Sequence, residues 1–356
     1  AIYTSGCDTS IVAGNYIYNC ASNGIDVTGD ANWIFNNYID SCASALITAN
    51  NEATNNRFDS NVLQNGRQYG IYCDSDSNLI SGNRIANNRN NGIHLSTGAE
   101  SNTVAGNTVY NSMYAADGIY LTGAHGNLCH ENLIDSCSRY GIYLGAANHN
   151  RFYRNRVQGC GDYAVYLGGS CSGDTFDKNN ILAAAGKLMK NDANAGVTID
   201  VSRNWWGTTD SGVIAAQLAG SAKGLLRWQP YRLGEIDTRP GQDTIAPAAP
   251  VSVMVAGFTG GCTVAWIPAL VNEEIGGEVT DTAGAGFRVY RATDTHGAYT
   301  WRGNAPATAT AFADSGSMSG DSIYYYRVTG YDNHATWPNE SYFSDSIGSG
   351  SPLYGG

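Results

Sequence analysis

Charged residues are scarce in this sequence. Asp, Glu, Lys and Arg make up 14% of its 356 residues, about half the share that is usual in globular proteins. Its 20 Lys and Arg against 31 Asp and Glu give a formal net charge of −11. The chain therefore has no basic surplus to neutralise the phosphates of a nucleic acid or an anionic membrane surface. We expect no nucleic-acid partner.

Long apolar runs are missing as well. No run of 18 apolar residues occurs, so we expect no membrane span. The chain begins at Ala1 without an initiator Met or a charged-then-apolar leader, as is typical of a processed or excised product. The apolar share of 42% is nevertheless ample for hydrophobic cores, and the length allows two or three domains.

The nine cysteines include no Cys-x-x-Cys pair, so neither a zinc ribbon nor a haem attachment site is indicated. Four of them occupy one position of the repeat described below: Cys20, Cys42, Cys137 and Cys160. Neighbours in such a column could form disulfides or remain buried thiols. We favour thiols, because equivalent positions on parallel strands rarely present the side-chain torsion that a disulfide needs.

Glycine and asparagine are abundant instead, with 44 and 35 residues. A triplet Asn-x-apolar recurs at spacings of 22 to 25 residues. An apolar residue or cysteine also lies three positions before every one of these asparagines, which indicates two buried positions per repeat. The repeat asparagines are Asn15, Asn37, Asn61, Asn83, Asn107, Asn132, Asn155, Asn179 and Asn204.

A third segment follows each asparagine by about nine residues and alternates like a strand, as in Gly92-Ile93-His94-Leu95 and Gly118-Ile119-Tyr120-Leu121. Three short strands per repeat can bury their apolar faces if each repeat forms one coil and stacks on the next. The sequence therefore predicts an all-β fold: a right-handed parallel β-helix of about nine coils, whose equivalent side chains form continuous columns.

The asparagines fit that geometry because Asn tolerates the left-handed conformation at a bend and its amide can bond both neighbours in a column. A second polar column lies five residues upstream of the first. We interpret both columns as structural. The second contains Ser10, Asn32, Asn56, Asn78, Asn102, Asn127, Asn150 and Asp174.

The repeat, with its closing Asn204-Trp205-Trp206-Gly207, resembles the parallel β-helix repeats of the NosD-like and carbohydrate-binding or sugar-hydrolysis families over residues 5 to 210. The resemblance is specific for the fold. It implies little about activity, because pectate-lyase-like enzymes, alginate epimerases, phage tailspikes, surface adhesins and copper-delivery proteins share this coil. The NosD-like resemblance draws attention to His125, His130 and His149 with Glu131, although their spacing matches no known copper ligand set.

The chain is predicted to contain two domains. Residues 1–233 form the β-helix, closed by a short amphipathic helix from Asp210 to Leu218 that would cover the last coil. Residues 234–250 form a Pro-rich linker. Residues 251–356 resemble a fibronectin type III β-sandwich, with Trp266 as its core tryptophan and a long acidic, glycine-rich insert from Val271 to Ala285.

One outward position of the Gly-Ile strands is rich in aromatic residues. A column of rings could stack on sugars, pack against a protein, or only stiffen the sheet by stacking on itself. We take Tyr72, His94, Tyr120, Tyr143 and Tyr166 as candidate ligand-binding residues. The whole predicted column is Asp26, Ile47, Tyr72, His94, Tyr120, Tyr143 and Tyr166.

Catalysis has weaker support. A glycoside hydrolase needs carboxylates near the aromatic platform, and a lyase or epimerase needs a base and a positive group beside the uronate. The nearest candidates are Asp74, Asp76, His94 and Asp117, and they form no recognisable motif. The negative net charge also disfavours a polyuronate.

Acidic residues recur at one bend of the repeat, two residues before the second polar column. Stacked carboxylates repel each other unless a cation lies between them, so calcium is a candidate cofactor, although none is required. The candidate ligands are Asp8, Asp30, Asp76 and Glu100.

These features predict an extracellular or cell-surface protein with a structural or adhesive role, which presents the aromatic column to a glycan or a neighbouring surface protein. The first coil has no preceding cap, so a homo-oligomer or filament could assemble through it. The alternative is a polysaccharide-active lyase, hydrolase or epimerase of the pectate-lyase-like class.

Overall fold

The structure is a computed structural model of the whole chain. It describes all residues apart from 51–52, 115, 183–186, 194–195, 233, 237–248, 259, 269–285, 295–298, 316–317, 319–321, 332–339, 342–343, 345–346 and 350–356. The predicted insert Val271–Ala285 and most of the predicted linker lie outside the described residues.

Three parallel sheets wind the first part of the chain into a right-handed β-helix of nine turns, as predicted. Sheet 1 carries the Gly-Ile segments, in the order Ile2–Thr4, Ile25–Val27, Ile47–Ala49, Ile71–Cys73, Ile93–Leu95, Ile119–Thr122, Tyr140–Gly145, Tyr163–Gly168, Met189–Asn191 and Leu218–Ala219. Sheet 2 contains Ile11–Ala13, Trp33–Phe35, Arg57–Asp59, Leu79–Ser81, Thr103–Ala105, Leu128–His130, Arg151–Tyr153, Thr175–Asp177, Ile199–Asp200 and Leu226–Arg227. Sheet 3 contains Tyr16–Tyr18, Tyr38–Asp40, Val62–Gln64, Arg84–Ala86, Thr108–Tyr110, Leu133–Asp135, Arg156–Gln158 and Asn180–Ile181.

Both predicted apolar columns are buried. Ile85 pairs with Val109, and Val109 pairs with Ile134, in parallel register on sheet 3, and all three are fully buried. On sheet 2, Phe152 stacks on Phe176 with ring centroids 4.5 Å apart. The repeat therefore places like side chains above one another in the interior, which confirms the predicted winding.

The asparagine columns are structural, as predicted, but one reason given for them is wrong. Asn83 donates hydrogen bonds to Asn107 Oδ1 from its backbone N–H (2.9 Å) and from its amide (3.0 Å), and it donates a third from the amide to the Phe58 carbonyl (2.8 Å). The left-handed residue at each bend is not the asparagine but the residue before it, with φ of 53° to 67°. These residues are Gly14, Asn36, Ser60, Gly82, Gly106, Glu131, Arg154, Lys178 and Arg203.

The glycine of the Gly-Ile segments is required by close approach. A Cβ on Gly92 would overlap the side chain of Val109 and would lie 2.7 Å from the Gly118 carbonyl oxygen. The same conflict recurs one coil later, where a Cβ on Gly118 would overlap Ile134. The start of each Gly-Ile segment therefore packs directly against a sheet 3 side chain, which explains why the segment begins with glycine.

The structure divides into two compact units. The first comprises residues 1–204 and 217–228, and the second comprises residues 205–216, 229–236 and the described residues from 249 onward. The predicted helix is present as Ser211–Gln217, in the second unit, and Asp210 Oδ1 accepts hydrogen bonds from the N–H groups of Gly212 (2.8 Å) and Val213 (3.2 Å). Which surface this helix covers stays a prediction, as do the predicted domain boundaries.

The predicted amphipathic helix has Val213, Ile214 and Leu218 as its apolar residues. Ile214 and Leu218 are buried, but Val213 is 40% exposed. Beyond the helix the chain returns to the β-helix, where Leu218–Ala219 and Leu226–Arg227 add a strand to sheet 1 and to sheet 2, with the short 3₁₀ helix Lys223–Leu225 between them. A two-residue strand carries too little alternation to be recognised in a sequence.

The second unit contains a β-sandwich of two antiparallel sheets. Sheet 4 consists of Val251–Phe258, Gly261–Ile267 and Ala311–Asp314. Sheet 5 consists of Thr300–Pro306, Gly286–Ala292, Tyr325–Tyr331 and Ile347–Gly348. Trp266 is buried in the shared core, 5.2 Å from the Phe287 ring, as predicted for the core tryptophan.

Candidate functional site

The outward column of sheet 1 runs through most coils of the β-helix. Register pairs Tyr72 with His94, His94 with Tyr120, Tyr120 with Tyr143, and Tyr143 with Tyr166. The structure thus brings together all five predicted ligand-binding residues. Their strands hold them there because every second residue of a strand points to the same side of the sheet.

One member of the predicted column is wrong. Ile47 is fully buried and pairs with Ile25 and Ile71, so it belongs to the interior. Thr48 takes the outward place instead, between Asp26 and Tyr72. The segment Ala45-Leu46-Ile47-Thr48 lacks the Gly that marks the register in other coils, and a shift of one residue exchanges the two faces of a strand.

The five rings are in continuous contact. Successive ring centroids are 5.3, 4.7, 4.5 and 5.3 Å apart along the column. Tyr120 and Tyr143 are stacked with an interplanar angle of 7°, whereas the His94 ring is nearly perpendicular to Tyr72 (85°) and Tyr120 (87°). Self-stacking therefore occurs, and it leaves the edges and hydroxyl groups of the rings for any external contact.

A second row of tyrosines flanks the column and was missed in the sequence. Tyr69 lies 4.8 Å from the His94 ring, and Tyr140 lies 4.8 Å from the Tyr166 ring. Tyr163 is 6.2 Å from Tyr140. Each of the three precedes a column tyrosine by three residues, a spacing that could have revealed them. We name the two rows together the aromatic face: Tyr72, His94, Tyr120, Tyr143 and Tyr166 with Tyr69, Tyr140 and Tyr163.

The tyrosine rings lean along their own strands, toward the residue two positions on. The Tyr72 hydroxyl donates to Asp74 (3.4 Å), and the Thr122 hydroxyl donates to that of Tyr120 (3.4 Å). At Tyr143 the position two residues on is Gly145, where a Cβ would lie only 2.7 Å from the tyrosine Cε1. Glycine at 145 therefore leaves room for the ring.

The aromatic face ends in polar side chains on its N-terminal side. Asp26 Oδ1 accepts hydrogen bonds from the Thr48 hydroxyl (2.6 Å) and the Asn50 amide (2.8 Å). In these first coils, hydrogen-bonded polar side chains occupy the outward position that rings occupy in the later coils. On the other side, Lys190 lies 5.1 Å from the Tyr166 ring centroid, and its amine lies 2.7 Å from Asp192 Oδ2. This hydrogen bond lowers the pKa of Asp192.

Asp117 is buried and forms an ion pair with Arg139, whose side chain is partly exposed. Arg139 binds both of its oxygens, with Nε–Oδ1 at 2.9 Å and Nη2–Oδ2 at 2.5 Å, and the Tyr140 N–H donates to Oδ1 as well. Burial raises the pKa of Asp117, and Arg139 opposes that rise. The guanidinium in turn lies 4.8 Å from the Tyr140 ring centroid. Arg139 thus links the Tyr140 ring, in the second row, to Asp117 in the preceding coil.

The other predicted carboxylates accept backbone hydrogen bonds at the bends. Asp76 accepts from the Glu100 N–H (2.7 Å), Asp8 from the Asp30 N–H (2.8 Å), and Asp30 from the Thr54 N–H (2.7 Å). Each of these bonds links a carboxylate to the backbone of the next coil, which gives the recurring acidic residues a structural role. Calcium at Asp8, Asp30, Asp76 and Glu100 stays a prediction.

All nine cysteines are free thiols. Cys137 and Cys160 occupy neighbouring coils of one column and are both buried. A hydrogen bond between the two thiols raises the pKa of Cys137, and burial adds to this rise. Burial likewise raises the pKa of Cys42 to about 11. A thiol held in the neutral form is a poor nucleophile, so Cys42 and Cys137 pack as small apolar side chains.

Two family models match the first part of the chain. Residues 1–117 match a model described as right handed beta helix region, and residues 100–205 match one described as periplasmic copper-binding protein (NosD). Together the two matches cover residues 1–205, and the structure has nine turns of parallel strands, so both indicate the same structural class. The chain is a right-handed parallel β-helix protein. A comparison with curated proteins finds no match.

His125, His130 and His149 of this β-helix protein do not fit a copper site, which would require ligands that converge on one point. His125 Nδ1 accepts the Asn148 N–H (3.1 Å), whereas the His130 ring stacks on Tyr153 at 4.8 Å. His149 is a bend residue with φ of 57°. Within the described ranges, no group of three or more His, Cys, Asp or Glu is placed to hold a metal ion.

The β-helix protein is similar to several solved structures. A periplasmic alginate epimerase is 15% identical over 60% of this chain and 55% of that one, with a TM-score of 0.40, so the present chain spans little more than half of its length. A pectate lyase is 14% identical over 68% and 74%, with a TM-score of 0.45. A Fn3-like protein from Clostridium thermocellum is 24% identical over 29% and 91%, with a TM-score of 0.22.

Proposed function

We propose that the β-helix protein is a non-catalytic structural or adhesive component of the extracellular or cell surface, and that its aromatic face binds a glycan. One observation carries this proposal: eight aromatic side chains form two adjoining rows along one side of the β-helix. A glycan chain that lies parallel to the axis would meet an equivalent ring in each of five successive coils, because neighbouring coils are about one strand spacing apart.

The hydroxyl groups of the aromatic face support a sugar as the occupant. Among the described residues, Tyr140, Tyr143 and Tyr163 form no side-chain hydrogen bond through their hydroxyls. All three rings are half-buried. Burial raises the pKa of Tyr143 to about 12, so its hydroxyl stays protonated and can both donate and accept. Rings that combine an apolar body with a polar edge suit the mixed surface of a sugar.

Three of the four candidate catalytic residues, the carboxylates Asp74, Asp76 and Asp117, support binding rather than chemistry. Asp117 is fully buried and holds Arg139 through both oxygens. Asp76 accepts a backbone N–H at a bend, and Asp74 accepts the Tyr72 hydroxyl. Such engaged carboxylates are poorly placed to exchange protons with a substrate.

A neighbouring surface protein is the second candidate occupant of the aromatic face.

Location and assembly remain parts of the proposal. Within the part of the chain that the structure describes, no helix has the length and apolarity to cross a membrane. Assembly of copies through the first coil predicts species larger than a monomer in sedimentation at high concentration. Monomers alone at every concentration would remove the homo-oligomer and filament from the proposal.

The first prediction concerns Tyr120 and Tyr143. Each replacement by alanine should weaken retention of the protein on a glycan panel about tenfold. We expect the stacking of a sugar on a tyrosine ring to contribute about 1 kcal/mol, as the contact between two aromatic rings does. Affinity electrophoresis against neutral and uronic-acid polysaccharides measures this retention. Tyr16→Ala is the matched control, because Tyr16 stacks on Tyr38 at 4.8 Å on sheet 3, away from the aromatic face.

The same panel tests the enzymatic alternative. Reducing ends and unsaturated products are assayed after incubation with each polysaccharide. Products that vanish in Asp76→Ala or His94→Ala would make the protein an enzyme and contradict the proposed role. Retention on no polysaccharide at all would remove the glycan and leave a protein as the occupant to be tested.

A further inference from the structure

A depression of about 510 Å³ opens at the bend that follows sheet 3, across three successive coils. We name it the bend pocket. Sites that hold small ligands have volumes of roughly 300–1,000 Å³. None of the seven residues that line the bend pocket is charged, and none belongs to the aromatic face. Asn87, Asn111 and Ser136 line it from three equivalent bends, and Met113, Tyr114 and Ser138 line it as well.

An insertion in one coil contributes to the bend pocket. The Gly-Ile segment begins nine residues after the repeat asparagine in the coils of Asn83 and Asn132, but eleven residues after Asn107. The longer stretch contains Met113 and Tyr114. Stacking requires equivalent residues in every coil, so it does not account for an insertion in this coil. Insertions into repeats lie in surface loops, which often carry binding residues.

The inserted stretch presents apolar groups to solvent at the bend pocket. Tyr114 is 74% exposed, and the guanidinium of Arg89, in the preceding coil, lies 5.6 Å from its ring centroid. Met113 is 38% exposed, and its N–H donates to the Asn88 carbonyl (2.8 Å). Packing in the β-helix core therefore explains neither side chain.

Two asparagines provide amides at the bend pocket. The Asn87 N–H donates to the Tyr110 carbonyl and the Asn111 N–H donates to the Asp135 carbonyl, both at 3.2 Å, so the backbone holds each bend. The two side-chain amides have no hydrogen-bond partner in the part of the chain that the structure describes. Each amide can therefore donate to a ligand and accept from it.

Two serines add hydroxyl groups that retain part of their hydrogen-bonding capacity. Ser138 Oγ accepts from the Ala116 N–H (2.9 Å), so its own proton remains for donation. The Ser136 hydroxyl donates to Asp135 (2.8 Å), so its oxygen can still accept. Both serines are exposed. The bend pocket thus combines donors and acceptors with an exposed aromatic ring.

A sugar ring matches this combination. Its hydroxyls donate and accept, and its C–H groups can pack on the face of an aromatic ring. A purely apolar ligand would leave the amides and hydroxyls without partners. A highly charged ligand would lose water without meeting a charged group among the lining residues.

We propose that the bend pocket binds a single sugar unit, with the Tyr114 ring against one face of the sugar and the amides of Asn87 and Asn111 bonded to its hydroxyls. The site goes beyond the proposed function and does not rest on it, because no ring of the aromatic face lines the bend pocket.

The test is isothermal titration calorimetry of the whole chain with the methyl glycosides of glucose, galactose, mannose, xylose and N-acetylglucosamine. We expect at least one of them to bind. Tyr114→Ala removes the ring and should weaken binding about tenfold. Asn111→Gly should weaken it about tenfold as well, because glycine adopts the φ of 52° at this bend and only the amide is lost. Tyr18→Ala is the matched control, since Tyr18 is 60% exposed on sheet 3 in the first coil.

The outcomes separate this site from the aromatic face. Unchanged affinity in Tyr114→Ala overturns the proposal. Binding that is lost in Tyr143→Ala but kept in Tyr114→Ala would place the sugar on the aromatic face, which overturns the bend pocket and supports the proposed function. No binding of any glycoside overturns the bend pocket alone, because retention on polysaccharides tests the aromatic face separately. Thermal melting checks that each variant is folded. Tyr114→Phe keeps the ring and should bind nearly as the unchanged protein does, and a loss equal to that of Tyr114→Ala would contradict the contact between ring and sugar.

Discussion

The asparagine columns inside the β-helix and the aromatic face outside it arise from the same repeat, but different forces join their members. Inside, each amide of the column from Asn15 to Asn179 binds its equivalent in the next coil, as Asn107 binds Asn132 at 3.0 Å. Outside, rings touch their neighbours, and the hydroxyls of Tyr72 and Tyr120 bond along their own strands, whereas that of Tyr166 donates to Asp192 in the next coil at 3.3 Å. A column joined by hydrogen bonds needs a matching residue in every coil. A column joined by ring contacts admits His94 among tyrosines.

This difference separates stability from binding. The interior columns bury polar groups that only their neighbours can satisfy, so a substitution there leaves several partners unsatisfied at once. The aromatic face is half exposed, and water can replace a lost contact there. We therefore expect interior variants to unfold the β-helix and surface variants to change only what it binds.

The largest expected effect is at Asn107. In Asn107→Ala the amide of Asn83 loses its acceptor, Asn107 Oδ1. The Ile80 carbonyl, 2.9 Å away, and Asn132 Oδ1 lose the Asn107 amide as their donor. All of these groups are buried, so the free energy of unfolding should fall by about 4 kcal/mol. Chemical denaturation measures it.

Tyr143→Ala provides the contrast. It removes a half-buried ring stacked on Tyr120 and should lower the free energy of unfolding by about 1 kcal/mol. Equal losses in the two variants would break the comparison, because ring contacts would then hold the coils together as strongly as the asparagines do.

The fold could be predicted from the sequence because stacking repeats each constraint in every coil. Ile85, Val109 and Ile134 occur at one position of the repeat, and stacked coils bury all three in parallel register. The register of Ile47 could not be predicted, since that coil lacks the glycine that marks the strand start. The strands beyond the helix contain two residues each and give no periodic signal.

Asp174 is an acidic residue within the second polar column, and we expect it to make the stability of the β-helix depend on pH. Its Oδ1 accepts two hydrogen bonds from Asn150, at 2.9 and 3.0 Å, as an asparagine would, but its Oδ2 is buried without a partner among the described residues. Burial raises its pKa from 3.8 to about 7. The folded protein therefore retains a proton that the unfolded chain releases, so this stabilising contribution is complete below pH 4 and is lost as the pH rises through 7.

Asp174→Asn supplies the neutral side chain that the rest of the column has. The variant should be more stable than the unchanged protein by roughly 3 kcal/mol at pH 8 and nearly equal to it at pH 4. Asn150→Asp, one coil earlier, is the matched control and should lose stability at pH 8. Parallel pH profiles for Asp174→Asn and the unchanged protein would show that this column tolerates a charge.

The candidate site was only partly predictable. The column tyrosines follow from the alternation of Gly-Ile-Tyr-Leu, because the outward position is fixed once the strand is recognised. The pair of Asp117 and Arg139 joins residues one coil apart through side-chain conformations that no periodicity encodes. The isolation of His94, whose two ring nitrogens have no hydrogen-bond partner among the described residues, likewise depends on the directions in which the neighbouring hydroxyls turn, which only coordinates reveal.

The smallest expected effect on stability is at Gly145. An added Cβ would lie 2.7 Å from Tyr143 Cε1 and 3.1 Å from the Thr122 hydroxyl, so the Tyr143 ring must turn away from its strand. Because a half-exposed ring can move into solvent, Gly145→Ala should change the free energy of unfolding by less than about 1 kcal/mol. It should nevertheless weaken glycan retention nearly as much as Tyr143→Ala does. Gly224→Ala, where an added Cβ meets no atom within 4 Å, controls for the substitution itself. If Gly145→Ala retains the glycan fully, then the position of the Tyr143 ring does not matter for binding, and the aromatic face acts through its overall apolar surface rather than through the alignment of its rings from coil to coil.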